Sequence, residues 1–204
     1  MKTEFLDANE PGATARAVAL LAAGQIVAFP TDTLYGVGVN PFDATAIERL
    51  YVMKARSLDK GIPILLADAS DLARVAAALP PLAQRLISEY WPGPLTLVLP
   101  KHPDLPANIS PNENIAVRIP DHPVGREVIR QAGGCVATTS ANLSGEPPTA
   151  TAAAAFAALE NRIAAVLDGG PSEHGLSSTI VDCTVDPPAI LRRGPIDLEA
   201  LWAA

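Results

Sequence analysis

Apolar residues recur along the chain in two spacings, one typical of amphipathic helices and the other of short buried strands. The helical spacing predicts helices at 14–23, 43–56, 123–132 and 151–159, two more from Ser70 and Pro80, and a short last one capped by Asp197. The short apolar runs predict strands at 25–29, 62–67, 95–99, 115–119, 135–139, 164–167, 179–183 and 189–192. Helices and strands alternate first and strands cluster later, which predicts one α/β domain over residues 1–204 with a mixed sheet.

Composition supports a sizeable core and limits the electrostatic partners. Hydrophobic residues make up 49% of the chain but aromatic residues only 4%, so the core is expected to consist of Ala, Val, Leu and Ile. The 15 basic and 22 acidic residues give a net charge of −7, which argues against a broad electrostatic grip on nucleic acid. A few arginines gathered in one cleft can still hold a nucleotide.

Cys135 and Cys183 each lie in an apolar run, which favours two buried thiols over a disulfide or a zinc pair. The first ten residues lack the basic and apolar regions of a signal peptide, and no apolar run reaches the ~20 residues that cross a bilayer. We therefore expect a soluble, cytoplasmic protein that does not contact the membrane.

The common nucleotide and catalytic motifs are missing. There is no P-loop motif, and Gly36 and Gly38 lack the third glycine of a dinucleotide fingerprint. His102, His122 and His174 are scattered beside loop residues, which favours solvated side chains over a Ser-His-Asp arrangement.

Polar residues instead collect where predicted elements end. Thr31, Thr33 and Tyr35 follow the strand at 25–29, although an ordinary strand-to-turn junction has the same composition. Lys54 and Arg56 stand at the end of a predicted helix, where cations also interact favourably with the helix dipole.

Arg118 is flanked by apolar residues in a predicted strand, and an arginine in such surroundings requires an anionic partner. Hydroxyl and amide side chains follow at the end of another strand, where ligands of open α/β sheets tend to bind. These residues are Thr138, Ser140 and Asn142, with Ser178 and Arg192 nearer the C-terminus. Together they predict a cleft of cations and hydroxyls without a covalent nucleophile. Such a cleft suits nucleotidyl transfer, in which charge and alignment do the work and Mg²⁺ spreads the charge of the triphosphate.

The order of these motifs resembles the YrdC-type threonylcarbamoyl-AMP synthase family. The matching segments are FPTDTLYGVG (29–38), KARSLDKGIPI (54–64), WPGPLTLVLP (91–100), AVRIPDHP (116–123), TSANLSGEPPT (139–149), SSTIVD (177–182) and ILRRG (190–194). No single segment is decisive, but seven in order, spread over about residues 15–195, make the resemblance specific.

The resemblance implies a twisted mixed α/β sheet with flanking helices and a concave, positively charged cleft. It implies an enzyme that joins bicarbonate to the amine of L-threonine and couples the carbamate to ATP, with Mg²⁺, releasing pyrophosphate. The product would pass to tRNA threonylcarbamoyl transferase proteins, and a weak contact with tRNA itself is compatible with this role.

The residue roles that the resemblance implies fall into two groups. The residues expected to bind threonine are Thr31, Thr33, Tyr35, Arg118 and Thr138. The residues expected to bind ATP are Lys54, Arg56, Ser140, Asn142, Ser178 and Arg192, of which Lys54 and Arg56 would also act in catalysis by neutralising charge on the departing pyrophosphate. No protein side chain is expected to ligate the metal.

Three positions depart from the family pattern, which often has proline where this chain has Ser57 and Thr139, and a Lys-Pro pair where it has Gly61. These changes affect loop stiffness more than charge. The alternatives are a non-catalytic RNA-binding relative of the same fold, a carbamoyl-transfer module like that of hydrogenase maturation proteins, and a structural domain with polar loops. The acidic balance opposes the first alternative. The length and the two cysteines oppose the second.

Overall fold

Ten strands form one continuous mixed sheet in residues 2–198, the part of the chain that the structure, a computed structural model, describes. The strands are β1 (Glu4–Asp7), β2 (Val27–Phe29), β3 (Gly36–Val39), β4 (Ile64–Leu66), β5 (Leu95–Pro100), β6 (Asn114–Arg118), β7 (Cys135–Ser140), β8 (Ala165–Asp168), β9 (Thr179–Asp182) and β10 (Ala189–Arg192). Their order across the sheet is β1-β8-β2-β3-β7-β4-β6-β5-β9-β10. Both parallel pairs, such as β4 with β6, and antiparallel pairs, such as β3 with β7, occur, as predicted.

Five α-helices flank this sheet in the described residues: α1 (Ala13–Ala22), α2 (Ala44–Lys54), α3 (Pro81–Tyr90), α4 (Pro123–Gln131) and α5 (Ala152–Leu159). Helix α2 begins where its sequence requires, because the Asp43 carboxylate accepts hydrogen bonds from the backbone N–H groups of Thr45 and Ala46. None of the helices in residues 2–198 has the length and apolar character needed to span a membrane.

The two faces of the sheet carry separate hydrophobic cores. Helices α1 and α4 pack on one face against residues such as Phe29 and Val136. Helices α2, α3 and α5 cover the opposite face, where Val37, Ile64 and Val117 are fully buried. The strands therefore present alternate residues to two apolar layers, which explains why their sequences read as short apolar runs.

One part of the face that carries α1 and α4 stays open. Residues Val98, Ala116 and Asp182 lie side by side on β5, β6 and β9 and are only half-buried, whereas their chain neighbours Leu97, Val117 and Val181 are buried. The helices on this face therefore leave these three positions partly exposed. The exposed positions lie next to Arg118, which is two residues after Ala116 on β6.

Most predicted elements are confirmed with ends that differ by at most two residues, and the exceptions have physical reasons. Strand β1 was not predicted because it is four residues long and alternates between half-buried and exposed positions at the sheet edge. Strand β3 was missed because its sequence, GVGV, is half glycine.

Three other predictions differ from the structure or fall outside the residues that it describes. The helix expected from Ser70 is instead a short 3₁₀-helix, Ala69–Arg74. His122 is not a solvated loop residue, because its Nδ1 atom accepts the Gly125 N–H and caps α4. The last helix expected after Asp197 falls beyond residue 198, outside the described residues. Cys135 and Cys183 are free and buried, as predicted.

Candidate functional site

The segment between β2 and β3 holds two of the predicted threonine-binding hydroxyls. Thr31 and Thr33 are 3% and 4% exposed, and their Oγ1 atoms lie 3.0 Å apart. The Thr31 hydroxyl donates to the Leu34 carbonyl oxygen at 2.6 Å, which folds the segment back on itself. The two hydroxyls therefore form a small polar cluster at the end of β2.

Arg118, at the end of β6, joins this cluster. Its Nη1 atom donates to Thr33 Oγ1 at 2.8 Å, its Nε atom donates to the Gly93 carbonyl oxygen at 2.9 Å, and its Nη2 atom forms an ion pair with Asp32. Burial lowers the pKa of Arg118, and the charge of Asp32 opposes that effect. The anionic partner that the sequence required for Arg118 is thus Asp32, a residue to which sequence reasoning gave no role. The sequence feature that could have identified Asp32 is a carboxylate three residues after a buried strand, β2.

Thr138, on β7, packs against the glycine-rich strand β3 at a point that Thr31 also borders. A Cβ atom on Gly36 would lie 2.6 Å from Thr138 Cγ2 and 3.9 Å from Thr31 Cγ2. Glycine at this position therefore leaves room for the Thr138 methyl group, and the Thr31 methyl group borders the same space. The Thr138 Oγ1 atom donates to the Val136 carbonyl oxygen.

Tyr35 is placed differently from the other predicted threonine-binding residues. Its ring is fully buried in the core of the opposite face, and its hydroxyl donates to the Gly170 carbonyl oxygen at 2.7 Å. Burial raises the pKa of Tyr35 far above its usual value. The phenol ties the end of β8 to the β2–β3 segment and makes no hydrogen bond to Thr31, Thr33 or Thr138.

Lys54 brings the second group of predicted residues together. It is the last residue of α2, only 2% exposed, and its Nζ atom donates to the carbonyl oxygens of Ser140 and Asn142. Burial, reinforced by the charge of Arg56, lowers its pKa to about 8. The lysine thereby holds the segment after β7 against the end of α2.

Arg56 follows Lys54 after a left-handed residue, Ala55, that ends α2. Its guanidinium donates to the carbonyl oxygens of Lys60 and Gly61 and is half-buried, and burial lowers its pKa. The two cations predicted to bind the triphosphate thus lie close together at one helix end.

Ser178 and Arg192 form a third contact at the far side of the sheet. Arg192 donates from Nε to the Ser178 carbonyl oxygen at 2.8 Å and from Nη2 to Ser178 Oγ at 3.0 Å. Ser178 Oγ lies 2.7 Å from Thr96 Oγ1, a hydroxyl that the sequence signalled only as one polar residue in an apolar strand. The charge of Arg192 contributes to lowering the pKa of Arg118, so the two guanidiniums are near each other.

The charges of these groups differ in how far the chain itself neutralises them. Arg118 is paired with Asp32, whereas Lys54, Arg56 and Arg192 form no salt bridge with any described residue. Within the described residues these three cations are therefore bonded to carbonyl and hydroxyl oxygens and not to carboxylates.

Comparisons with known proteins identify relatives of this chain. The family model Sua5_yciO_yrdC, described as telomere recombination, matches residues 19–194. A threonylcarbamoyl-AMP synthase of Bacillus subtilis is 40% identical over 203 residues, covering 98% of this chain but 58% of the relative. A putative threonylcarbamoyl-AMP synthase of Mycobacterium tuberculosis is 37% identical over 98% of this chain and 94% of the relative.

Solved structures show the same architecture. The crystal structure of P. abyssi Sua5 complexed with L-threonine superposes with a TM-score of 0.93 at 34% identity, covering 100% of this chain and 60% of that one. E. coli YciO has a TM-score of 0.86 at 22% identity, a likeness of fold alone. The chain thus spans about six tenths of the B. subtilis and P. abyssi relatives. The family match and these identities place the chain in the Sua5/YciO/YrdC family.

Proposed function

We propose that this chain synthesises threonylcarbamoyl-AMP from L-threonine, bicarbonate and ATP, releasing pyrophosphate. The observation that carries the proposal is that one chain holds both a buried cluster of hydroxyls with a guanidinium and three cations that form no salt bridge with a described carboxylate. The first is suited to a small polar amino acid and the second to a triphosphate. Relatives named threonylcarbamoyl-AMP synthase, and a related Sua5 structure with L-threonine, support this assignment.

The reaction proceeds in two balanced steps. The threonine amine attacks bicarbonate, and water leaves to give the carbamate. A carbamate oxygen then attacks the α-phosphorus of ATP, and pyrophosphate departs with the electron pair of the broken P–O bond. Both steps need alignment and charge compensation and no covalent intermediate on the protein.

The proposed roles of the residues follow from their surroundings. Arg118, Thr33, Thr31 and Thr138 hold the amino acid, with Tyr35 supporting the segment that carries the two threonines. The residues proposed to bind ATP are Lys54, Arg56, Ser140, Asn142, Ser178 and Arg192. Lys54 and Arg56 offset the charge that develops on pyrophosphate.

Magnesium enters this scheme with ATP as part of the substrate. Residues 2–198 contain no group of three His, Cys, Asp or Glu side chains placed to hold a metal ion. The donor set at the proposed ATP end consists of cations and hydroxyls, which does not fit a resident cation. Mg²⁺ is commonly bound through substrate phosphates, and we propose that mode here.

The test is threonine-dependent release of pyrophosphate. The protein is incubated with MgATP, L-threonine and bicarbonate, pyrophosphate is measured, and threonylcarbamoyl-AMP is identified by mass spectrometry. D-Threonine and reactions without bicarbonate are the matched controls. If L-threonine with bicarbonate released no more pyrophosphate than these controls, the proposed activity would be refuted. Transfer of the product to tRNA by a partner protein is a further part of the proposal, measured by adding such a transferase and tRNA.

A further inference from the structure

Asp32 has one carboxylate oxygen that the fold leaves without a partner. The side chain is 1% exposed, and its Oδ1 atom forms the ion pair with Arg118. Its Oδ2 atom is buried and has no hydrogen-bond partner among the described residues. Buried polar atoms nearly always have a partner, and a charged group is the most unfavourable one to leave unpaired. The Oδ2 atom is therefore an acceptor suited to a donor from outside the chain.

The two hydroxyl donors next to Asp32 are already committed. The Thr31 hydroxyl donates to the Leu34 carbonyl oxygen. In the hydrogen bond between Thr31 and Thr33, the Thr33 hydroxyl is therefore the donor and Thr31 Oγ1 the acceptor. His122 lies close enough for the charge of Asp32 to oppose the burial that lowers the pKa of its ring. However, the Nδ1 atom of that ring accepts from the Gly125 N–H, so the neutral ring carries its proton on Nε2, and no hydrogen bond joins Nε2 to Asp32 Oδ2. None of these three side chains satisfies Oδ2.

Arg118 supplies the complementary half of the site. A guanidinium carries five N–H donors, and Gly93, Thr33 and Asp32 each take one of them. One N–H therefore remains on each terminal nitrogen, and either can donate to an anionic group. A buried acceptor oxygen beside such a pair of donors matches a molecule that has an amino group next to a carboxylate.

We propose that Asp32 accepts a hydrogen bond from the α-amino group of the amino-acid substrate through Oδ2, while Arg118 binds its carboxylate. The inference rests on the proposed function and adds a residue that makes the site select an amino acid over the corresponding amine-free acid. The segment after β8 lies against the backbone of Asp32, because the His174 N–H donates to the Asp32 carbonyl oxygen at 2.9 Å.

The experiment compares two ligands on two proteins by calorimetry, without ATP. L-Threonine is matched with β-hydroxybutyrate, which keeps the carboxylate and the hydroxyl of threonine but lacks the amine. The wild-type chain is matched with Asp32→Asn, which keeps the shape and an acceptor for Arg118. In the wild type, threonine is expected to bind at least about tenfold more tightly than β-hydroxybutyrate. In Asp32→Asn that ratio is expected to fall to about one, a change that lost stability alone does not produce.

The outcomes separate this inference from the function on which it rests. Asp121→Asn is the control, because Asp121 is an exposed carboxylate beside His122, and it should keep the wild-type ratio. If Asp32→Asn keeps the wild-type preference for threonine, Asp32 does not bind the amine and the inference is wrong. If wild-type protein binds no threonine, the proposed function fails first. Circular dichroism of each variant shows that the compared proteins are folded.

Discussion

Asp32 and Arg118 form an ion pair whose side chains are 1% and 6% exposed, and it joins the β2–β3 segment to the end of β6. Removing one partner of such a pair leaves the other as an uncompensated buried charge. Arg118→Ala is therefore expected to lower the free energy of unfolding by about 3–5 kcal/mol, measured by urea denaturation. The double variant Asp32→Ala/Arg118→Ala should lose less than the sum of the two single variants. Additive losses would show that the pair contributes nothing as a pair.

The lowered pKa of Lys54 predicts that ATP binding depends on pH. Its pKa is lowered to about 8 by burial, so Lys54 is charged below that pH and becomes neutral above it. Affinity for ATP should therefore weaken as pH rises from 7 to 9, measured by calorimetry with MgATP. Lys54→Met should bind ATP more weakly at pH 7 and should lack this pH dependence. An unchanged pH profile in that variant would assign the titration to another group.

The same lowered pKa has a consequence for stability, with the opposite sign. Between pH 8 and the ordinary value of 10.5, the unfolded chain binds a proton at Lys54 that the folded chain has released. The contribution of Lys54 to the free energy of unfolding should therefore increase with pH across this window. Subtracting the pH profile of Lys54→Met from that of the wild type measures it. A difference that falls with pH would contradict the lowered pKa.

Gly36 is expected to tolerate no side chain. Because an added Cβ would lie 2.6 Å from Thr138 Cγ2, Gly36→Ala should destabilise the protein by about 1–3 kcal/mol. Thr138→Ser removes the methyl group that blocks the new atom, so the double variant should recover part of the loss. Thermal unfolding of the single and double variants measures both effects. A Gly36→Ala protein as stable as the wild type would mean that β3 and β7 separate easily.

Cys135 and Cys183 should be inert in the folded protein. Burial raises the pKa of each thiol to about 11, so almost none is present as thiolate at pH 8. Iodoacetamide at pH 8 is expected to label neither cysteine in the native protein and both in urea, as read by mass spectrometry. Rapid labelling of one cysteine in the native state would show that its strand opens locally.

Local sequence predicted the elements well where the pattern is strong. Helix α2 has its Asp43 cap and its apolar face in consecutive residues, and β6 has alternating apolar residues, so both were found. Strand β3 was missed because glycine carries no local strand signal. Its glycines are required by Thr138 and Val136 on the neighbouring strand, which no local pattern reveals.

The candidate site was predictable as a set of residue types but not as a set of contacts. Polar residues at strand ends and a resemblance in motif order pointed to Arg118, Lys54 and Ser140, and the structure places these in polar clusters. The partner of Arg118 is 86 residues away in the chain, and the carbonyl oxygens that Lys54 binds are 86 and 88 residues away. Sequence reasoning also grouped Tyr35 with Thr31 and Thr33, although its buried hydroxyl contacts Gly170 instead.

The sequence by itself determined the α/β class, the buried cysteines, the resemblance to a family and the residues that carry its motifs. These features depend on local spacing and residue type, which act over a few positions of the chain. Only the tertiary structure decided that Asp32 pairs with Arg118, that Lys54 donates to the Ser140 and Asn142 carbonyl oxygens, and that the Tyr35 hydroxyl donates to the Gly170 carbonyl oxygen. These relationships depend on strand order and on which face of the sheet each side chain occupies. Such pairings are set by burial of the whole sheet between two apolar layers.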